Sequence, residues 1–113
     1  MLLKKYKLKK DNDFKKVFKS GKYEQKDFIK IKFLKNNLDI SRFSFIVGLK
    51  ISKKAVQRNK IKRRLEEIIR LNFKQINTGF DILVFVDKEI MKKEYIEVKE
   101  VLIYLFKKSR III

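Results

Sequence analysis

The feature that most restricts the fold is a hydrophobic pattern whose period changes along the chain. Apolar and polar side chains alternate over 28–34 and again over 43–51, which is typical of half-buried β-strands. The apolar run at 80–86 is typical of a buried strand, and a weaker alternation at 22–26 allows a short extra strand. Helical spacing of apolar residues predicts three helices, at about 11–20, 53–73 and 91–108. The order αββαβα predicts an α+β fold, arranged as a two-layer α-β sandwich.

Turn signals are few, because the chain has no proline and only three glycines. Asp11 or Asn12 is predicted to be the N-cap of the first helix, and Gly21 its C′ residue. Ser52 is the predicted N-cap of the second helix. The polar stretch 35–41 is predicted to be the hairpin loop that joins the two alternating strands.

The net charge indicates the kind of partner. With 31 Lys and Arg against 13 Asp and Glu, the charge is +18, which favours a polyanion such as nucleic acid or an anionic membrane surface. Codon bias explains the preference for Lys over Arg. It does not explain why basic residues so outnumber Asp and Glu. A hydrophobic content of 45% in 113 residues predicts one folded domain over 1–113. Residues 1–10 are expected to be flexible, apart from Leu8.

The absence of cysteine and histidine excludes several kinds of chemistry. Without cysteine there are no disulfides or thiolate ligands, and without histidine there is no imidazole base or zinc ligand. We therefore predict no catalytic residue, no metal site, no cofactor held by the protein alone and no small-molecule substrate. No apolar run approaches the ~20 residues of a membrane span, and the N-terminus does not resemble a signal peptide. A cytoplasmic protein is expected.

The densest basic segment lies in the second predicted helix, at 58–64. Ile61 and Leu65 belong to its buried stripe, so the basic side chains take the remaining arc. Four of the six arginines of the chain lie within 58–70, and the planar fork of arginine suits phosphate oxygens. RNA contact is one interpretation of this segment. A solvated helix face in a lysine-rich protein is the other.

The stretch from Val47 to Arg64, VGLKISKKAVQRNKIKRR, resembles the signature of the bacterial ribonuclease P protein component. In that family a strand ending in Ser-Lys-Lys leads into a helix that bears Arg-Asn-Arg. The N-terminal part is similar too, with Asp13-Phe14 and Val17-Phe18 at the family spacing. The resemblance implies a left-handed β-α-β crossover around the motif helix, whereas ~98% of such units are right-handed.

The resemblance also implies a function. Ribonuclease P removes the 5′ leader of precursor tRNA, and its catalytic centre belongs to a large RNA subunit and Mg²⁺. The protein would bind that RNA and the unpaired leader of precursor tRNA. The positions that match the RNA-binding motif are Lys53, Lys54, Arg58, Asn59, Lys60, Lys62, Arg63 and Arg64. The positions that match the leader-binding cleft are Phe14, Phe18, Ile31 and Lys50.

Some positions depart from the family pattern. Lys60 stands where arginine is usual, which keeps the charge but loses the bidentate fork. Glu66 stands where relatives often have a basic residue, and Ile31 where they often have tyrosine. About three residues are missing after Lys54. Without the resemblance, Phe14 and Phe18 would be interpreted as core residues, because phenylalanines at i, i+4 of a helix are more often buried in the core.

Three other functions are compatible with parts of the sequence. A ribosomal protein or a general RNA chaperone would have a similar composition and lack only the motif spacing. A self-sufficient nuclease would need clustered acids to hold Mg²⁺, but the aspartates are scattered over loops and element ends. A membrane-surface protein would use the amphipathic last helix and the isoleucines at 111–113, a run too short to anchor a chain.

Overall fold

The computed structural model describes residues 3–112, which form a four-stranded sheet and three α-helices. In chain order these are α1 (Asp11–Ser20), β1 (Lys22–Lys26), β2 (Ile29–Lys35), β3 (Arg42–Ile46), α2 (Ala55–Leu71), β4 (Phe80–Val86) and α3 (Tyr95–Lys108). Short 3₁₀ turns occur at Lys4–Tyr6, Phe73–Gln75 and Lys88–Lys92. The predicted α+β class and αββαβα order are confirmed, and the weak pattern at 22–26 is a strand.

The strands are arranged in the order β1-β2-β4-β3. The β1–β2 and β2–β4 pairs are antiparallel, whereas β3 is parallel to β4. A parallel pair needs a crossover connection, and α2 supplies it between β3 and β4. The left hand of this crossover stays a prediction from the resemblance.

The predicted hairpin between the two alternating strands is wrong, because β4 lies between β2 and β3. The hairpin is instead formed by β1 and β2, and Asp27 in its turn has φ 52°. The loop after β2 crosses the beginning of β4. It is held there by two hydrogen bonds, from the amide of Asn36 to the carbonyl of Gly79 (2.9 Å) and from the amide of Gly79 to the carbonyl of Ile40 (3.2 Å).

The main core lies between one face of the sheet and the helices α2 and α3. Alternate residues of the strands point into it, as the period-two pattern predicts. Both helices contribute their apolar stripes, and Tyr95 at the start of α3 packs partly buried against them. The fully buried core side chains include Ile29, Ile31, Phe43, Leu65, Ile68, Ile69, Ile82, Leu102, Leu105, Phe106 and Ile111.

Helix α1 packs on the opposite face of the sheet. Val17 from α1, Leu8 from the N-terminal segment and Leu83 from β4 form a small second core there. Helix α1 covers only part of this face. The remaining part of the face stays open, and it forms the floor of the cleft described below.

The ends of α1 differ from the prediction. The N-cap is Lys10 rather than Asp11 or Asn12, so Asp11 is the first helical residue. Gly21 has φ −71° and is not a left-handed C′ residue. Glycine is needed there because a Cβ would lie 2.5 Å from the carbonyl oxygen of Val17 and 2.9 Å from that of Phe33.

The second alternating segment is a strand only as far as Ile46. Residues 47–54 form a loop, in which Val47 and Ile51 are buried and the amide of Ile51 donates to the carbonyl of Gly48 (3.1 Å). The predicted N-cap Ser52 lies in this loop, and its hydroxyl accepts a hydrogen bond from the amide of Lys54, the actual N-cap of α2.

The N-terminal segment packs against the edge of the sheet. The amide of Leu8 donates to the carbonyl of Phe43 (2.8 Å), and Leu8 itself is buried. The ring of Tyr6 meets that of Phe73 edge to face, with 4.5 Å between centroids. The sequence predicts that Leu8 alone is held among residues 1–10, and the contact of Tyr6 goes beyond this prediction. Residues 1 and 2 lie outside the described range.

At the C-terminus, Ile111 and Ile112 are buried in the main core, while Ile113 lies outside the described residues. Within 3–112, no helix combines the length and the apolar character that crossing a membrane requires.

Candidate nucleic-acid interface

Helix α2 turns its apolar stripe to the core and its basic residues away from it. Ile61 and Leu65 are buried, whereas Asn59, Lys60 and Arg63 are exposed. Lys62 and Arg64 are half-buried along the flanks, and Lys53 and Lys54 are exposed just before the helix begins. Within the described residues, none of these cations lies within salt-bridge distance of a carboxylate.

Arg58 is held by the loop that precedes its own helix. One of its terminal nitrogens donates to the carbonyl of Ser52 (2.9 Å). Its side chain is therefore fixed near the start of α2, with further N–H groups left to donate. The eight residues predicted to bind RNA thus lie together along one helix and its N-terminal loop.

The basic surface ends at the C-terminal part of α2. Glu67 and Arg70 form an exposed ion pair, with 2.8 Å between its nearest nitrogen and oxygen. The hydrogen bond to Arg70 lowers the pKa of Glu67, and the same bond raises the pKa of Arg70. Arg70 therefore keeps its positive charge but is already paired with Glu67. Glu66, one of the departures from the family pattern, is half-buried nearby.

A second candidate surface is the part of the sheet that α1 leaves open. The rings of Phe14 and Phe18 stack with a centroid distance of 6.3 Å, and Phe18 meets Phe85 of β4 edge to face, also at 6.3 Å. Phe18 is 50% exposed although it is a large aromatic residue. The three rings therefore form an accessible aromatic surface, which we call the cleft.

Two lysines of β2 border the cleft. The Nζ of Lys32 lies 3.9 Å from the ring centroid of Phe18 and donates to its carbonyl (3.1 Å). The Nζ of Lys30 lies 5.3 Å from the ring centroid of Phe85. In the neighbouring strand β1, Gln25 pairs with Lys30 and Tyr23 pairs with Lys32. Gln25 and Tyr23 therefore lie on the same face of the sheet as the two lysines, and both are exposed.

One predicted cleft residue is on the wrong side of the sheet. Ile31 is fully buried in the main core, among the residues that α2 and α3 cover. Side chains alternate between the two faces along β2, so Lys30 and Lys32 lie on the cleft face and Ile31 lies on the face that packs against the main core. Ile31 is therefore not a cleft residue.

The other predicted cleft residues are brought together in part. Phe14 and Phe18 are in contact, as predicted. Lys50 lies in the β3–α2 loop, where it borders a groove that also reaches Ile46 and Phe85. The residues that sequence reasoning missed are Tyr23, Gln25, Lys30, Lys32, Ile46 and Phe85. Of these, Lys30 and Lys32 could have been identified from the sequence, because they form the polar face of β2.

A partly buried ion-pair network connects α1 to the sheet. Arg42 of β3 donates to both carboxylate oxygens of Asp81 (2.8 and 2.6 Å) and also to Asp13 of α1 (3.3 Å). The hydrogen bond from Arg42 to Asp81 raises the pKa of the guanidinium, against the opposing effect of burial. Because Asp13 directly precedes Phe14 in α1, this network holds that part of the helix against the sheet.

Acidic groups do not gather into an ion-binding site in the described part of the chain. Among residues 3–112 there is no group of three or more carboxylates placed to hold a metal ion. A basic helix suited to phosphates and an aromatic, lysine-bordered cleft suited to unpaired bases together define a nucleic-acid-binding α+β protein.

Comparison with known proteins identifies the family. A family model described as Ribonuclease P matches residues 2–110. The chain therefore belongs to the ribonuclease P protein family, the protein subunits of the endoribonuclease that matures tRNA 5′ ends.

Individual relatives agree with this assignment. The ribonuclease P protein component of Fusobacterium nucleatum is 38% identical over 109 residues, covering 93% of this chain and 97% of the relative. That of Thermotoga maritima is 39% identical over 100 residues, covering 85% of each.

Solved structures show the same fold. The RNase P protein of Staphylococcus aureus superimposes with a TM-score of 0.87 at 25% identity, covering 96% of this chain and 98% of that one. The protein of Thermotoga maritima gives a TM-score of 0.83 at 37% identity, covering 90% and 96%.

Proposed function

We propose that this subunit uses two separate surfaces for two RNAs. Helix α2 and the loop before it bind the catalytic RNA of ribonuclease P. The cleft binds the unpaired 5′ leader of precursor tRNA. The RNA supplies the chemistry together with Mg²⁺ held by its phosphates, and the protein contributes no reacting group. It acts in the cytoplasm, where precursor tRNA would be processed.

The exposure and the pairing of the basic residues support the proposal that α2 binds the catalytic RNA. Exposed Lys60 and Arg63 have no carboxylate within salt-bridge distance among the described residues, so a phosphate would not have to displace a partner. Arg58 is already oriented by its bond to Ser52, which reduces the side-chain entropy lost on binding. Phosphate contacts of this kind do not depend on base sequence, as anchoring to a folded RNA requires.

The exposed aromatic surface of the cleft is the observation that carries the proposal. Phe18 is a large apolar side chain, yet half of it faces solvent beside Phe14 and Phe85. Bases of any identity stack on such rings, and Lys30 and Lys32 lie where they can bind the adjoining phosphates. A leader of variable sequence fits this combination of sequence-tolerant contacts.

The test is to separate the two surfaces by substitution. The α2 variant combines Lys60→Ala and Arg63→Ala, and the cleft variant is Lys30→Gln. Ile96→Ala, at an exposed position on α3 away from both surfaces, is the control. Affinity is measured for the catalytic RNA alone, and then, with the assembled holoenzyme, for precursor and mature tRNA.

We expect the α2 variant to weaken binding of the catalytic RNA and to reduce its salt dependence by about one unit of slope per lost phosphate contact. The cleft variant should bind the catalytic RNA normally but discriminate less between precursor and mature tRNA. Equal losses for both variants in both assays would contradict the assignment of separate surfaces.

A further inference from the structure

The C-terminal end of α3 carries an arginine in a backbone conformation that arginine rarely adopts. Arg110 has φ 61°, in the left-handed region that favours glycine or asparagine after a helix. The other left-handed positions within residues 3–112 follow this preference, since they are Asp27, Asn37 and Gly79. Arg110 is the exception, and its side chain strains the backbone at this position.

Hydrogen bonds on both sides hold Arg110 in this conformation. Its amide donates to the carbonyl of Lys107 (3.1 Å), and its carbonyl accepts from the side-chain amide of Asn77 (2.9 Å). The next residue, Ile111, is fully buried, and its amide donates to the carbonyl of Phe106 (2.8 Å). All of these bonds use the backbone of 110 and 111, so they do not explain why the side chain is that of arginine.

Arginine is also an unusual choice in this chain, because only six of its 31 basic residues are arginines. Three of the six lie in the basic segment 58–64 of α2, while Arg42 and Arg70 are paired with carboxylates. Arg110 is exposed, and within residues 3–112 no carboxylate lies within salt-bridge distance of it. Its guanidinium is therefore open to an external anion, and its planar fork matches two oxygens of a phosphate.

Charges are segregated along α3. Carboxylates gather around its N-terminal half, namely Glu94, Glu97 and Glu100 of the helix with Asp27, Asp87 and Glu89 of the neighbouring turns. At the other end, Lys108 is paired with Glu24 (3.6 Å), whereas Lys107 is exposed and, among the described residues, has no such partner. The helix dipole is reason enough for lysines in the last turn, but not for an arginine with positive φ. We call Lys107 and Arg110 the α3 end site.

The α3 end site is separate from both proposed RNA surfaces. Asn77, which holds Arg110, lies beyond the C-terminal end of α2, and the Glu67–Arg70 ion pair stands between that end and the basic segment 58–64. The cleft lies on the opposite face of the sheet from α3. A polyanion bound at the α3 end site would also be repelled by the acidic half of the helix, so its contact is limited to this end.

We propose that the α3 end site is a third RNA contact, at which the guanidinium of Arg110 binds a backbone phosphate of folded RNA and Lys107 supports it. This role explains why a strained position carries arginine. The phosphate is supplied by the catalytic RNA or by the body of the tRNA. The inference rests on the proposed function, in which the chain works between these two RNAs.

The first experiment replaces Arg110 with asparagine, which accepts the left-handed conformation and carries no charge. We expect the urea midpoint to rise, because the strain is relieved, while RNA affinity falls about fivefold and its salt dependence falls by about one unit of slope. Arg110→Lys is the matched variant. It keeps the charge but loses the fork, so the slope should stay and the affinity should fall by less, about twofold.

Two binding assays distinguish the sources of the phosphate. One uses the catalytic RNA alone, and the other uses mature tRNA, which has no leader, with the assembled holoenzyme. A loss with the catalytic RNA assigns the phosphate to that RNA, and a loss with tRNA alone assigns it to the tRNA body. Unchanged affinity in both assays refutes the proposal. A lower urea midpoint for Arg110→Asn would also overturn it, because arginine would then serve the fold.

The α2 variant with Lys60→Ala and Arg63→Ala, measured alongside, separates this inference from the proposed function. If the α2 variant loses affinity for the catalytic RNA and Arg110→Asn loses none in either assay, the proposed function stands and the α3 end site is refuted. If neither variant loses affinity, both are refuted.

A second experiment does not depend on affinity. The chain has no cysteine, so Thr78→Cys offers a single attachment point for a benzophenone crosslinker. Thr78 is exposed and follows Asn77, whose side chain bonds to Arg110. Ile96→Cys is the control, because it is exposed on the acidic half of the same helix. In the holoenzyme with bound tRNA, RNA crosslinks from position 78 that exceed those from position 96 support the proposal, and equal or absent crosslinks overturn it.

Discussion

Replacing Phe18 with alanine tests the cleft most sharply. The ring contributes to two aromatic pairs, with Phe14 and Phe85, and each such pair contributes about 0.5–1.5 kcal/mol to stability. Since half of the ring is already exposed, we expect the free energy of unfolding to fall by only about 1–2 kcal/mol. The protein should therefore remain folded.

The effect on leader binding should be larger than this structural cost suggests. Stacking of one base on an aromatic side chain contributes about 1–3 kcal/mol, which corresponds to a 5- to 150-fold change in affinity. Because Phe14 and Phe85 remain, we expect the lower part of this range, about 5- to 20-fold. Affinity for mature tRNA, which has no leader, should not change.

The assay measures the dissociation constants of reconstituted holoenzyme for precursor and mature tRNA under conditions where every variant is folded. Val17→Ala is the matched control, since Val17 is adjacent in sequence but fully buried on the sheet side of α1. It should cost stability by creating a cavity and leave precursor affinity unchanged. Equal loss of precursor affinity in both variants, or equal loss for both tRNAs with Phe18→Ala, would refute stacking in the cleft.

Three further predictions concern the scaffold and α2. Gly21→Ala should destabilise the protein by about 2–4 kcal/mol in urea denaturation, because the added Cβ would lie 2.5 Å from the carbonyl oxygen of Val17; a change below about 0.5 kcal/mol would show that this junction relaxes freely. Arg42→Met should cost about 2–3 kcal/mol by thermal or chemical unfolding, since it removes two hydrogen bonds from the buried carboxylate of Asp81 while the one from Asn36 remains; an unchanged midpoint would contradict this. Arg63→Ala alone should lower the salt dependence of catalytic-RNA binding by about one unit, and an unchanged slope would mean that it contacts no phosphate.

Much of the fold followed from hydrophobic periodicity. The buried stripe of α2 and the alternation of β2 were predicted correctly because both depend only on local spacing. The pairing of the strands was not predicted correctly. The hairpin between β2 and β3 was wrong because β4, distant in sequence, lies between them, and no local signal encodes such a non-local partner.

The β3 boundary failed for a different physical reason. Residues 47, 49 and 51 continue the alternation of apolar side chains, so the pattern predicts a strand that extends to 51. In the structure a turn after Gly48 buries Val47 and Ile51 while it exposes Leu49. A period of two is thus compatible with a loop whose apolar residues anchor both of its ends.

The site was predicted better on the helix than in the cleft. The motif places the basic residues of α2 on one surface because helical geometry fixes their directions. In the cleft, matching to the family pattern selected Ile31, although alternation along β2 already gave it to the core face. Phe85 comes from the last strand, and only the tertiary fold brings it next to Phe18.

Cleavage of precursor tRNA at low Mg²⁺ tests the central claim most directly. The assay compares the catalytic RNA alone, the protein alone and both together. The account predicts that cleavage appears only with both, or rises strongly when the protein is added to the RNA. Cleavage by the protein alone would mean that the chain has an active site of its own. An unchanged rate with a correctly folded catalytic RNA would contradict its role as the subunit that assists it.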